Sequence, residues 1–197
     1  MSHSSLRVIR EEHAALSAML RSLSMMVREG EPSAQERENH FAVLRSMLFY
    51  IDEFPEKLHH TKESRFLFPP VSRARPDLAE VIARLDHDHA HGESSVRELM
   101  HLLIAWECMG ESRRAAFEEA VHRYVRFYLE HMQVEETQIL PAAYEALSEA
   151  EWKAMDEGFA QHLDPFVSPN LADGPYWALF DRITQNAPAP IGLRQNS

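Results

Sequence analysis

The chain has a single cysteine, Cys108, among 197 residues, so no internal disulfide can form, and this scarcity fits a reducing compartment. No apolar run approaches the roughly 20 residues needed to span a bilayer. No basic segment leads into an apolar stretch near Met1, so the expectation is a cytoplasmic protein without a membrane partner. Basic surface is equally scarce. A formal net charge of -11 and the lack of a basic patch argue against nucleic acid or anionic lipid as partners. Glycine is rare, at 6 residues, and Leu, Ala, Met and Glu recur periodically, which is the signature of long helices. Short-period repeats, low-complexity tracts and recognisable cofactor motifs are absent, and nothing fixes the oligomeric state.

Four apolar stripes at helical spacing are present. The first runs Leu6, Ile9, His13, Leu16, Leu20, Leu23, Val27, with Gly30 as its end. Ser33 to Glu36 is a capping-box pattern that starts the second helix. Its stripe takes in Phe41, Leu44, Leu48, Ile51, Pro55, His59, Glu63 and Phe66; Pro55 bends or restarts it, and Pro69-Pro70 ends it. The third stripe is Leu78, Ile82, Leu85, His89, Glu93, Val96, Met100, Leu103, closed by Gly110 and Ser112. The fourth is Phe117, Val121, Tyr124, Tyr128, His131, Glu135, Gln138. Ser148 to Glu151 is a second capping box and opens a short fifth helix to about Gln161. One more helix is expected around Tyr176 to Ile183, and Ala187 to Pro190 reads as extended surface or disordered chain. The fold class is therefore all-α: an up-down-up-down four-helix bundle over residues 1–165 with a short fifth helix, then a partly irregular C-terminal extension over 166–197.

Each stripe contains polar residues in slots that call for apolar ones: His13, His59, Glu63, His89, Glu93, His131 and Glu135. Histidine and glutamate four apart lie one above the other on a helix, so each such pair points at one small volume. About one pair is expected by chance in a chain with 12 His, so a single pair carries little weight. The phase of all of them, in core slots of all four helices, carries more. A buried carboxylate without a cationic partner costs several kcal/mol or gives up its charge. Imidazole with carboxylate suits iron, zinc, copper or nickel, and four His with three Glu suffice for two ions. A structural zinc site would more often use cysteine.

With these residues assembled, the chain resembles the hemerythrin-like family, the HHE cation-binding domain. The matching text is Glu11-Glu12-His13, then His59-His60-Thr61-Lys62-Glu63 with Leu67-Phe68-Pro69, Asp88-His89-Ala90-His91-Gly92-Glu93, and His131-Met132-Gln133-Val134-Glu135-Glu136 with Ile139-Leu140-Pro141. The resemblance covers about residues 5–166, including the short helix with Trp152. It implies a non-haem di-iron centre with an oxo or hydroxo bridge. By carry-over, Glu63 and Glu135 bridge the irons, His13 and His59 hold one, and His89, Glu93 and His131 hold the other. Glu93 stands where oxygen-carrying hemerythrins have histidine, and the last helix has His-x-x-x-Glu in place of a longer spacing to Asp. Both departures shift the site from reversible oxygen carriage toward a more easily oxidised iron pair.

The leading expectation is thus a di-iron protein binding O2, nitric oxide or peroxide for sensing, redox response or iron handling. The alternatives are a di-iron oxidoreductase that turns over peroxide, O2 or nitric oxide, and a zinc-bound or metal-free interaction bundle. Ferritin-like oxidases favour Glu-x-x-His and more carboxylates, which counts against the oxidoreductase. His60, about 100° round the helix from His59, is placed at the surface, with support or gating of a ligand as the alternative. Tyr128 reads as a core tyrosine, or as a hydrogen-bond donor to an iron-bound oxygen species. His87 and His91 face solvent; Met19, Met25, Met26, Met47, Met100 and Met132 fill the core; His3, His40, His101, His122 and His162 have no role.

Overall fold

The computed structural model describes residues 3–29, 32–160, 164–168 and 174–194. Gly30, Gln161 and His162 lie outside them. Helix α1 spans Ser4–Arg28, and its stripe from Leu6 to Val27 is buried as its spacing requires. The second rod is composite. It comprises α2 (Arg37–Ile51), a π-helical segment Asp52–His59, α3 (His60–Lys62), a second π-helical segment Glu63–Leu67, and α4 (Phe68–Ala74). Helix α5 spans Ala79–Met109 and stops at Gly110, whose φ of 83° is the left-handed conformation that glycine adopts without a Cβ clash. Helix α6 (Arg114–Val134) runs into a third π-helical segment, Glu135–Ile139, and then α7 (Leu140–Ala146). Helices α8 (Glu149–Phe159) and α9 (Trp177–Asn186) complete the described elements, with no strand among them. None of the described helices is long and apolar enough to cross a membrane.

The long rods pack in a closed cycle, α1 on α2, α2 on α5, α5 on α6 and α6 on α1. Their apolar faces form two separate cores. One gathers Leu16 to Val27, Phe41 to Phe54, Val96 to Trp106 and Phe117 to Met132. The other gathers Leu6 to Ile9, Leu67 to Val71, Ile82 and Leu85, and Ile139 to Ala143, capped by Trp152, Met155 and Phe159 of α8. The histidines and glutamates singled out on the stripes fall where each rod passes from one core to the other, His131 beside Met132 at the edge of the larger, so the fold holds a polar layer between two apolar ones.

Several local expectations need correction. Ser33 and Glu36 do pair, Oγ to Oε2 at 2.5 Å, but they form a turn ahead of a helix that begins at Arg37. The capping box at Ser148 is present, with the Ser148 amide donating to Glu151 at 2.9 Å and the Glu151 amide to Ser148 at 3.4 Å. Pro69 and Pro70 do not end the second rod; they sit in the first turn of α4, where a missing N–H costs nothing, and the helix runs on to Ala74. In α5 the buried face is Ile82, Leu85, His89, Gly92, Val96, Leu99 and Leu103, so the stripe steps from His89 to Gly92 and leaves Glu93 outside. The Ala187-Pro188 step is buried, not surface chain. Ser22 Oγ donates to the Pro188 carbonyl at 2.8 Å, and Ile183 and Ala187 enter the larger core beside α2.

Candidate metal centre

The second rod owes its unusual winding to proline and to its hydrogen-bond ladder. Pro55 has no N–H to offer the preceding turn, and the ladder widens to i→i+5 bonds, with the His60 amide on the Pro55 carbonyl and the Phe68 amide on the Glu63 carbonyl. The fourth rod does the same where the Leu140 amide bonds the Glu135 carbonyl. A π turn takes in one more residue than an α turn, so neighbours in sequence can share a face. That is why His59 and His60 are both buried, at 4% and 3% exposure. Placing His60 at the surface assumed an unbroken α-helix. The available signal was Pro55 one turn ahead of a His-His doublet.

His13, His59, Glu63, His89, His131 and Glu135 come together in the layer between the cores, all buried. Glu93 does not join them; its carboxylate is paired with Arg97 at 2.7 Å on the outside of α5. His60 takes the vacant corner. Its ring stacks on His89 at 4.3 Å, and His60, His89 and His131 form one group of donors that could hold an ion. His13, His59 and Glu63 form another, and Glu63, His89 and Glu135 a third that links them.

Distances between donor atoms match shared coordination. His13 Nε2 lies 3.4 Å from Glu135 Oε2 and 3.7 Å from Glu63 Oε1. His59 Nε2 is 3.3 Å from Glu63 Oε2. Glu135 Oε1 is 3.2 Å from His131 Nε2 and 3.8 Å from His89 Nε2, and His89 is 3.6 Å from Glu63 Oε2. Two donors each about 2.1 Å from one ion sit roughly 3.0–3.4 Å apart at ordinary coordination angles. Glu135 thus turns one oxygen toward each group of imidazoles, the disposition of a bridging carboxylate. His89 Nε2 and His131 Nε2 are 3.0 Å apart, which brings two nitrogen lone pairs together unless a cation or proton lies between them.

The other ring nitrogens are held from outside. His13 Nδ1 donates to Glu136 at 3.1 Å, His59 Nδ1 to Glu12 at 2.7 Å, His60 Nδ1 to Glu56 at 3.1 Å and His131 Nδ1 to Asp88 at 3.4 Å. His89 Nδ1 shares a hydrogen bond of 3.0 Å with Ser64 Oγ. A carboxylate on Nδ1 fixes the tautomer that leaves Nε2 bare and raises its basicity, as around metal-ligating histidines. Glu12, Glu56, Asp88 and Glu136 were missed in the sequence. Three of them adjoin a residue of the layer, yet each supports an imidazole on a neighbouring rod, a relation that spacing along one helix cannot reveal.

Electrostatics point the same way. Burial pushes His13 down, but the carboxylates of Glu135, Glu136 and Glu63 outweigh it and hold the imidazole well above its ordinary value. Burial would raise Glu135, yet His13, His131 and His89 keep it well below the usual carboxylate range. Glu63 is lowered too: burial and the charge of Glu135 oppose this, and His59 and His13 prevail. His60 differs. Burial drives it down to about 4 against the pull of Glu56, so it is a neutral imidazole with a free lone pair at neutral pH.

The residues fit a metal on grounds internal to the fold. Nε2 of His13 and of His59 and all four carboxylate oxygens of Glu63 and Glu135 are buried without a hydrogen-bond partner. Two ionised carboxylates left so would cost several kcal/mol each, and native proteins leave few such atoms. A pair of cations satisfies them together. A surface cleft of about 420 Å³, walled in part by Thr61, Ser64, Arg65 and Asp86, leads to His60 and His89, with Glu93 on its wall.

Comparison of the chain with curated proteins finds no match. Comparison with family models does: residues 4–143 match the model described as the hemerythrin HHE cation-binding domain, from α1 into α7 and ending before the Trp152 helix. That match takes in every member of the polar layer and well over half of the chain, so the chain belongs to the hemerythrin HHE cation-binding domain family.

Proposed function

We propose that the chain binds two iron ions in its polar layer and uses them to bind O2, nitric oxide or peroxide, for sensing, redox response or iron handling. His13 and His59 hold one ion and His60, His89 and His131 the other, while Glu63 and Glu135 bridge. The observation that carries this reading is the set of orphaned donors, two imidazole groups with a carboxylate turning one oxygen to each. Imidazole and carboxylate donors suit iron, and the family is one of cation-binding domains. The unit that carries the function is the bundle of residues 1–165, with 166–197 as an extension. An up-down-up-down course is supported by the order of the two cores along the chain. The smaller core comes first in α1 and α5, and the larger comes first in α2 and α6.

Bound iron would supply an open coordination position and one-electron redox capacity; the chain's own residues set the rest. Glu12, Glu56, Asp88 and Glu136 keep each Nε2 lone pair turned inward. The two apolar cores exclude water from above and below, and the cleft beside His60 and His89 admits a small ligand. Replacing Glu93 by His60 leaves two carboxylates in the set and not three. The site is then less anionic than the Glu93 assignment implies, which favours the ferric state less and removes one objection to reversible binding.

The test is metal analysis of protein purified without added metals, with an absorption spectrum under air. Two irons per chain and oxo-to-iron charge-transfer bands are expected. Zinc alone, or no metal, overturns the reading.

A further inference from the structure

Next to His60 lies a second buried cluster, of which only Glu56, through its hydrogen bond to His60, takes part in holding the metal ligands. Tyr124 donates its phenol proton to Glu56 Oε1 at 2.6 Å, and Glu56 also accepts from His60. The ring of Tyr128 lies 4.7 Å from that of Tyr124. It is parallel to His60 at 5.4 Å and 5.8 Å from His131. The hydroxyl of Tyr128 lies beside Glu56 and the Tyr124 phenol. It presses with Glu56 against Gly92, where any Cβ would overlap both. On its far side Tyr124 lines a surface cavity of about 370 Å³ between α5 and α6, together with Phe127, Leu99, Arg123 and Arg126. Aromatic rings in contact thus run without a break from the imidazoles of the metal layer to the outside, and the outermost phenol already has a carboxylate placed for its proton.

We infer that Tyr124 is a one-electron donor to the metal layer, with the Tyr128 ring as the conductor, Glu56 as the proton acceptor and a small hydroquinone-class reductant as the occupant of the outer cavity. This rests on the di-iron reading. Hydrogen peroxide is the oxidant: its O–O bond breaks, it takes up two electrons and two protons, and two waters leave. Each electron comes from Tyr124 through the Tyr128 ring. As it leaves, the Tyr124 O–H bond breaks and the proton moves to Glu56 Oε1 along the existing hydrogen bond. A hydroquinone in the cavity returns one hydrogen atom to the Tyr124 oxygen and becomes a semiquinone. Glu56, which also borders the cleft beside His60, releases its proton there. Two passes consume one peroxide and two hydroquinones.

The experiment uses the full chain with its iron counted first. One equivalent of hydrogen peroxide is added, the sample is frozen, and its electron paramagnetic resonance spectrum is recorded. A tyrosyl radical is expected, with hyperfine structure that collapses when the tyrosines are ring-deuterated. Tyr124→Phe should reduce it at least tenfold with iron content unchanged. Tyr128→Phe keeps the ring and should keep the radical. Hydroquinone added before freezing should remove it. No radical in iron-replete protein, an equal radical in Tyr124→Phe, or a radical that survives hydroquinone would overturn this inference and leave the di-iron reading standing. Protein without iron would overturn both.

Discussion

Glu135 turns an oxygen to each group of imidazoles, so Glu135→Ala should lose both irons, as read by metal analysis. His60→Ala should lose about half of the iron, because it removes one of three nitrogens from one ion only. Glu93→Ala and His87→Ala should keep both ions, since Glu93 is tied to Arg97 outside the layer and His87 is exposed. Retained iron in the first variant, or lost iron in the last two, would break the assignment. Gly92→Ala forces a methyl into Glu56 and the Tyr128 hydroxyl and should destabilise the protein by about 2 kcal/mol in urea unfolding. His13, His59, Glu63, His89, His131 and Glu135 could be read as core-facing because they hold their places on regular stripes. Gly92 could have been read too. From His89 onward the strict alternation of three and four passes through Gly92, Val96, Leu99 and Leu103, but a glycine adds nothing to an apolar count, whereas Glu93 four residues after His89 copied the pattern of the other rods.

At the scale of elements, the π-helical segments decide which residues face inward. Pro55 marked the first of them, but sequence periodicity presumes one winding throughout and gave no sign of the other two. At the end of the third of them the buried residue is Ile139, while Gln138 is exposed. The C-terminal segment is an element whose docking depends on pH. Tyr50 donates to Asp164 at 2.6 Å, and burial pushes the Asp164 carboxyl up to about 6, against the lowering effect of Tyr50 and of the Phe166 amide. In the unfolded chain the group titrates near ~3.9. The folded state therefore binds the proton more tightly, and this contribution is complete below about pH 4 and is lost as pH rises through about 6, on the order of 2–3 kcal/mol. Asp164→Asn should remove that slope. The difference in urea midpoint between wild type and variant, followed from pH 4 to 7, checks it; a constant difference would contradict it.

Over the whole molecule, the metal layer separates two apolar cores that share the same rods, so its occupancy should govern global stability. A ligand present at about a thousandfold its Kd adds about 4 kcal/mol, which for a chain of this size corresponds to a rise in Tm on the order of 10 °C. Removing iron with a chelator should lower Tm by about that much, and restoring ferrous iron should recover it. An unchanged Tm would mean that the layer holds without ions. The all-α class and the principal rods were legible because each stripe is long and its breaks are marked by glycine, proline or a cap. Helix α9 was also found near its expected place. The burial of Ala187 and Pro188 was not, since Ser22, which bonds the Pro188 carbonyl, lies on α1, far away in the chain.

Two ions are expected side by side between the cores. An anomalous difference map recorded at the iron absorption edge, from crystals of protein purified without added metal, tests this most directly. It should show two peaks, one beside His13 and His59 and one beside His60, His89 and His131, with Glu63 and Glu135 between them. A single peak, a peak elsewhere, or none would contradict the account.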